Sequence, residues 1–149
     1  MQVQSTVTIA VTPEKVFPFV SDLDRYKEWM PLVHAATPDG DGAWIVELRA
    51  KVGPFARSKR LRMQRTTCVD PREMVACDRA KVVFERCEVD GKKHSPWILT
   101  VDVVPVGEST QVDVDLVYQG SLWTGGILEQ VLHNNIDAGR EGLLKAVTA

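Results

Sequence analysis

Polar and apolar residues alternate from the start of the chain. Val3, Ser5, Val7 and Ile9 alternate with Gln2, Gln4, Thr6 and Thr8, which predicts a strand with one buried face. Thr12-Pro13-Glu14 then reads as a helix start: a capping hydroxyl, a proline where its missing N–H costs nothing, and an acid in the first turn. Val16, Phe17 and Val20 supply an apolar face, while Pro18 crowds the carbonyl of Glu14 and predicts a helix that is short or kinked there. Ser21-Asp22-Leu23-Asp24 has capping-box character and opens a second short helix through Tyr26 and Lys27. Pro31 forces Met30 into an extended conformation, so that helix must end before it.

From Leu32 onward the pattern is that of strands separated by turns. The turn signals are Pro38-Asp39-Gly40-Asp41-Gly42, Gly53-Pro54, Asp70-Pro71, Asp90-Gly91 and Pro105-Val106-Gly107. Their spacing suits an antiparallel meander rather than alternating β and α units. Trp44, Val46, Leu48, Ala50 and Val52 form one apolar face, and Trp97, Leu99, Val101 and Val103 a second. Val112, Val114, Leu116 and Tyr118 form a third; Val82-Val83-Phe84 is apolar on both faces and leaves its direction open. The period then changes. Leu128, Val131, Leu132, Asn135, Ile136, Gly139, Leu143 and Ala146 fall on one side of a helix running from about Gly126 to near Val147.

The 149 residues fit a single domain, 1–149, large enough to bury a core. A net charge of -2 and a pI near 5.9 give no overall pull toward nucleic acid or an anionic membrane. Apolar runs are too short for an integral membrane segment, and the N-terminus lacks the pattern of a signal peptide, so a cytoplasmic location is expected. Cys68, Cys77 and Cys87 have no metal-ligand spacing and read as free thiols on strands, although Cys68 and Cys77 flank a turn and could face each other across a hairpin. His34, His94 and His133 are scattered, so neither a metal nor another cofactor is expected. The basic stretch Arg57, Lys59, Arg60, Arg62 and Arg65 alternates along a strand and lacks interleaved exposed aromatics, so it reads as a solvated outer face rather than a patch for RNA or acidic lipid.

The order of strand, two short helices, strand meander and one long final helix resembles the START-related SRPBCC superfamily. That group includes the birch-pollen-allergen-like and polyketide cyclase/dehydrase-like proteins. The residues carrying the resemblance are Val11-Thr12-Pro13-Glu14-Lys15-Val16-Phe17, Ser21 through Trp29, and Pro31. The resemblance spans essentially the whole chain and implies an α+β helix-grip fold: a curved antiparallel sheet of about seven strands around the C-terminal helix. It also implies a cavity between sheet and helix for apolar or aromatic molecules. Pro18 departs from the usual pattern of the first short helix.

Candidate ligand-binding residues follow from the expected concave face. Trp44, Met63, Trp97 and Tyr118 suit a flat or adaptable apolar ligand, and would equally fill a core. Trp29 beside Pro31 either gates a cavity mouth or packs on the sheet. Leu132 and Asn135 come from the inward face of the last helix. Asn135 is the expected polar anchor, because Leu132 and Gly139 offer its amide nothing to bond. The expected cavity is a few hundred Å³, bounded by Trp44, Trp97, Tyr118, Leu132 and Asn135. No nucleophile elbow, phosphate-cradling loop or dinucleotide fingerprint is present, and catalytic residues are not assigned. The leading expectation is a hydrophobic small molecule, lipid- or polyketide-like, as the partner. The alternatives are a cyclase/dehydratase of the aromatase kind and a module that docks on a ribosome or lipid surface. A homodimer is compatible with the sequence.

Overall fold

The computed structural model describes residues 2–76, 79–119 and 127–149. Strand β1 (Gln2–Ile9) leads into helix α1 (Pro13–Ser21) and a 3-10 helix (Leu23–Glu28). The meander follows as β2 (Val33–Pro38), β3 (Ala43–Val52), β4 (Phe55–Val69), β5 (Ala80–Arg86), β6 (Trp97–Val106) and β7 (Ser109–Tyr118). A short 3-10 helix, Pro71–Ala76, lies between β4 and β5, and α2 (Ile127–Thr148) closes the chain. The seven strands form one antiparallel sheet in the order β1-β7-β6-β5-β4-β3-β2. The curved sheet with the long helix packed against β1 and β3 is the expected helix-grip arrangement.

The alternating residues explain the packing. Trp44, Val46, Leu48 and Ala50 of β3, Trp97, Leu99, Val101 and Val103 of β6, and Val112, Val114, Leu116 and Tyr118 of β7 are all buried. The ambiguous β5 resolves with Val82 and Phe84 inward. From α2, Leu132, Ile136 and Leu143 reach the core. The side chains of Val52 and Leu128, and the whole of Cys77, lie outside the described residues. Cys68 and Cys87 are free thiols.

Three local details bear on the sequence reading. Helix α1 is short, as expected, and runs through Pro18 to Ser21, held by the buried Val16, Phe17 and Val20. Proline here removes one hydrogen bond, to Glu14, from a helix whose stability comes from that buried face. Second, neither Thr12 nor Asp22 caps a helix with its side chain. Asp22 is instead engaged by Arg65, whose Nη1 donates to its carboxylate at 3.0 Å and to the Ser21 carbonyl at 2.7 Å. Third, the basic stretch does not lie on one outer face. The β3–β4 register pairs Leu48 with Lys59 and Ala50 with Arg57, so Arg57 and Lys59 share the concave side, whereas Arg60 and Arg62 stand outside. Arg65 also turns inward, with its guanidinium 5.5 Å from the Trp44 ring centre.

The β3–β4 hairpin projects beyond its neighbours. Pairing of β2 with β3 ends at Leu48, followed by one bond from Arg49 N–H to the Leu32 carbonyl. Pairing of β5 with β4 begins only at Met63. Between these limits the hairpin is a two-stranded ribbon, closed at Gly53-Pro54 with Gly53 at φ +62°. That positive φ suits glycine at the first position of a tight hairpin turn.

Candidate functional site

Among the spaces that the described residues leave between α2 and the sheet, two are candidate seats for a ligand. The inner one is walled wholly by buried apolar residues, which include Leu32, Leu48, Leu61, Met63, Trp97 and Ile136. Its volume is about 40 Å³, close to the ~30 Å³ share of one water molecule and far below the ~150 Å³ that admits benzene. The expected cavity of a few hundred Å³ is therefore not found there. Aromatic side chains fill the space instead. Trp44 meets Phe84 edge-on at 5.6 Å, Phe84 meets Tyr26 at 5.9 Å, and Tyr26 meets Trp29 at 4.6 Å.

The outer space is a groove of about 440 Å³, in the range of small-molecule sites. Its walls are Pro31 and His34 before and within β2, Arg49, Ala50, Lys51 and Ala56 of the hairpin ribbon, and Val131, Asn134 and Asn135 of α2. The groove exists because β2 stops short of the ribbon, leaving the edge of β3 uncovered beside the helix. Groove and inner cavity use adjoining residues of the same elements: Pro31 and Leu32, Ala50 and Leu48, Asn135 and Ile136.

The seven candidate residues are dispersed among these features. Met63 and Trp97 line the inner cavity, and Asn135 lines the groove. Trp44 is buried, with Nε1 donating to Asp24 at 2.9 Å. Trp29 donates from Nε1 to the Phe19 carbonyl at 2.8 Å and lays its ring near Gly139. Tyr118 is buried with its ring 4.9 Å from Trp97, and Leu132 is buried. Asn135 does find a local partner: its Nδ2 donates to the Val131 carbonyl, one turn back, at 2.8 Å. Its Oδ1 accepts no hydrogen bond among the described residues, which leaves one acceptor at the groove wall. Asn134, the neighbour that the inward helical phase passed over, accepts from Gln130 through Oδ1 at 2.9 Å. The charged groove residues had no signal in the strand alternation, because the uncovered edge is a matter of where β2 ends.

Perturbed groups are few. Burial, with a smaller contribution from the Asp22 carboxylate, pushes the Tyr26 phenol well above its ordinary value, and its hydroxyl donates to the Val20 carbonyl at 2.7 Å. Partial burial lowers the Lys59 ammonium, and the Arg86 guanidinium adds to the effect. Burial raises the Cys68 thiol, which disfavours the reactive thiolate. None of these groups is among the walls of either space.

A separate polar cluster was not foreseen. Ligand atoms of Glu88, Asp90 and His94 all lie within 4.8 Å of one another. Arg86 is part of the same group, with Nε 3.4 Å from Glu88 and Nη2 3.3 Å from His94 Nδ1. Arginine can only donate, so His94 accepts at Nδ1 and carries its proton on Nε2, which donates to Asp90 at 2.8 Å. The cluster is thus held together by its own cation.

No helix among the described residues is long and apolar enough to cross a membrane. No match was found among curated proteins. Solved structures similar in fold include TTHA0849 from Thermus thermophilus, at 17% identity and TM-score 0.69, covering 99% of this chain and 97% of that one. A START superfamily protein from Mycobacterium smegmatis has 17% identity and TM-score 0.66, with coverage of 99% and 97%. The Zhui aromatase/cyclase from Streptomyces sp. R1128 has 18% identity and TM-score 0.62, with coverage of 99% and 93%. At these identities the likenesses speak for the fold alone. The sequence itself matches the family model for polyketide cyclase / dehydrase and lipid transport over residues 1–148, and the chain belongs to that family.

Proposed function

We propose that this protein binds an apolar or aromatic small molecule, lipid- or polyketide-like, and that the outer groove is its seat. The observation that carries the reading is the groove itself, about 440 Å³ in volume, set against α2 and open along the β3 edge. Val131 and Ala50 offer apolar wall, and burial of ligand surface against them contributes about 25 cal/mol per Å². The Asn135 Oδ1 is the polar anchor and suits a ligand hydroxyl or N–H. Met63 and Trp97 belong to the inner cavity behind it, where an apolar tail enters if Leu48 and Ile136 give way. Trp29, Trp44, Tyr118 and Leu132 act behind these walls, by fixing their shape.

A binding role is favoured over a cyclase or dehydratase because neither space brings an acid and a base together: the titratable walls of the groove are His34, Arg49 and Lys51 with no carboxylate among them, and the inner cavity has no titratable wall among the described residues. The test is a fluorescence titration with 1-anilinonaphthalene-8-sulfonate, an aromatic probe, on the native chain and on Val131→Trp. The substitution fills the groove from a half-buried helix position and should weaken probe binding at least tenfold with unchanged circular dichroism. Equal binding by both proteins would remove the groove as the seat.

A further inference from the structure

The tip of the β3–β4 ribbon carries residues that the groove does not use, Phe55, Arg57 and Arg60. From the Leu48–Lys59 pair to the Val52–Phe55 pair the ribbon spans five residues on each strand, roughly 13 Å over the intervening steps of ~3.3 Å. Two strands without further neighbours are only marginally stable on their own. At its tip Phe55 is 64% exposed, immediately after the Gly53-Pro54 turn. A phenyl ring held out in water at the end of an arm is costly unless something covers it.

The charge around the ring is one-sided. Residues 49–60 read RAKVGPFARSKR, five cations and no acid, in a chain with a net charge of -2. Arg49 is paired with Glu47 at 3.4 Å, and Lys59 is partly buried beside Arg86. Lys51, Arg57 and Arg60 are exposed and make no ion pair among the described residues. Arg57 leans on the tip, its guanidinium 5.9 Å from the Phe55 ring centre. The apolar group leads and the cations stand behind it, on both faces of the ribbon.

We propose that this arm is a docking surface for an anionic lipid bilayer. Phe55 enters the interfacial layer, and Lys51, Arg57 and Arg60 meet lipid phosphates behind it. The charge complements an anionic leaflet, where each juxtaposed cation contributes and salt weakens the contact. A single-stranded nucleic acid would feel the same charge, but such sites stack successive bases on several rings, and the arm offers one ring at a tip. Lys51 and Ala56 also wall the groove, so a docked arm sets the groove's mouth against the membrane. The docking surface stands without the ligand reading, because vesicles alone test it.

The experiment is co-sedimentation of the ligand-free chain with vesicles of phosphatidylcholine alone and of phosphatidylcholine mixed with phosphatidylglycerol. Binding is expected to the mixed vesicles only, and to fall as salt is added. Lys51→Gln and Arg57→Gln should each weaken partition about fivefold, and Phe55→Ser should weaken it by a similar factor with the fold intact. In a Phe55→Trp variant the added fluorescence should shift to the blue on mixed vesicles and be quenched by brominated lipid. Failure of the native chain to bind mixed vesicles, binding unchanged by the tip substitutions, or displacement from the vesicles by single-stranded RNA overturns the proposal.

Discussion

Alanine substitutions at Gly139 and Gly142, three residues apart on α2, should move stability in opposite directions. In both cases the helix gains about 1 kcal/mol from replacing glycine by alanine. A Cβ at Gly139 would sit 3.6 Å and 3.7 Å from ring atoms of Trp29 and 3.8 Å from Met30 Cγ, ordinary contact distances. Gly139→Ala should therefore stabilise by about 1 kcal/mol, the propensity gain plus part of a buried methyl. At Gly142 a Cβ would collide with the Trp29 carbonyl oxygen and lie 2.9 Å from the carbonyl carbon. Backbone cannot rotate aside as a side chain can, so helix and turn must separate. A clash with backbone belongs at the upper end of the overpacking range, about 2–3 kcal/mol. Net of propensity, Gly142→Ala should lose about 1–2 kcal/mol, a gap of about 2–3 kcal/mol between the two variants. Urea unfolding reads this as opposite shifts of midpoint at constant slope, and thermal midpoints should differ by about 6–9 °C at ~3 °C per kcal/mol. If both variants are stabilised alike, α2 does not press on the Trp29 turn, and the placement of the helix that shapes the groove is wrong.

Three further outcomes follow from single side chains. Tyr26 has its phenol raised in the fold, so the native state keeps a proton that the unfolded chain loses from about pH 10. Stability must then fall as pH rises above that value, and Tyr26→Phe should flatten the alkaline limb of a pH–stability curve while costing about 1 kcal/mol at neutral pH for the lost bond to Val20. Arg65→Lys should cost about 1–2 kcal/mol by urea unfolding, because an ammonium cannot both bond Ser21 and Asp22 and lie over Trp44; no loss would mean that the inward turn of Arg65 is incidental. Asn135→Leu should change stability by less than about 1 kcal/mol, since leucine's helix propensity offsets the bond to Val131. The same variant should weaken ligands carrying a hydroxyl or N–H more than those without, measured by calorimetric titration of matched pairs.

The fold was legible because its signals are local and repeated. The alternation in Trp44 to Ala50, Trp97 to Val103 and Val112 to Tyr118 names the buried face of each strand without any knowledge of the partner strand. The change of period after Tyr118 separates the helix from the meander. The site was less legible for two reasons. Aromatic residues on a concave face are the same residues whether they line a cavity or fill it, and only three-dimensional packing shows Trp44, Phe84, Tyr26 and Trp29 stacked into one another. The groove depends on strand ends: β2 stops opposite Leu48, and that single register fact uncovers Arg49 to Lys51. Alternation likewise placed Arg57 and Lys59 outside, because it assumed their face was fixed by charge, whereas the register with Ala50 and Leu48 puts them on the concave side at its solvent-exposed end.

Native mass spectrometry of the protein purified from its own host tests the ligand reading most directly. A bound apolar or aromatic molecule should appear as a discrete mass adduct that leaves on denaturation. The adduct should be lost or strongly reduced in Val131→Trp, where the groove is filled. A bare polypeptide mass from cells in which the protein is at work, or an adduct that Val131→Trp retains in full, would contradict the groove as the seat of a small molecule.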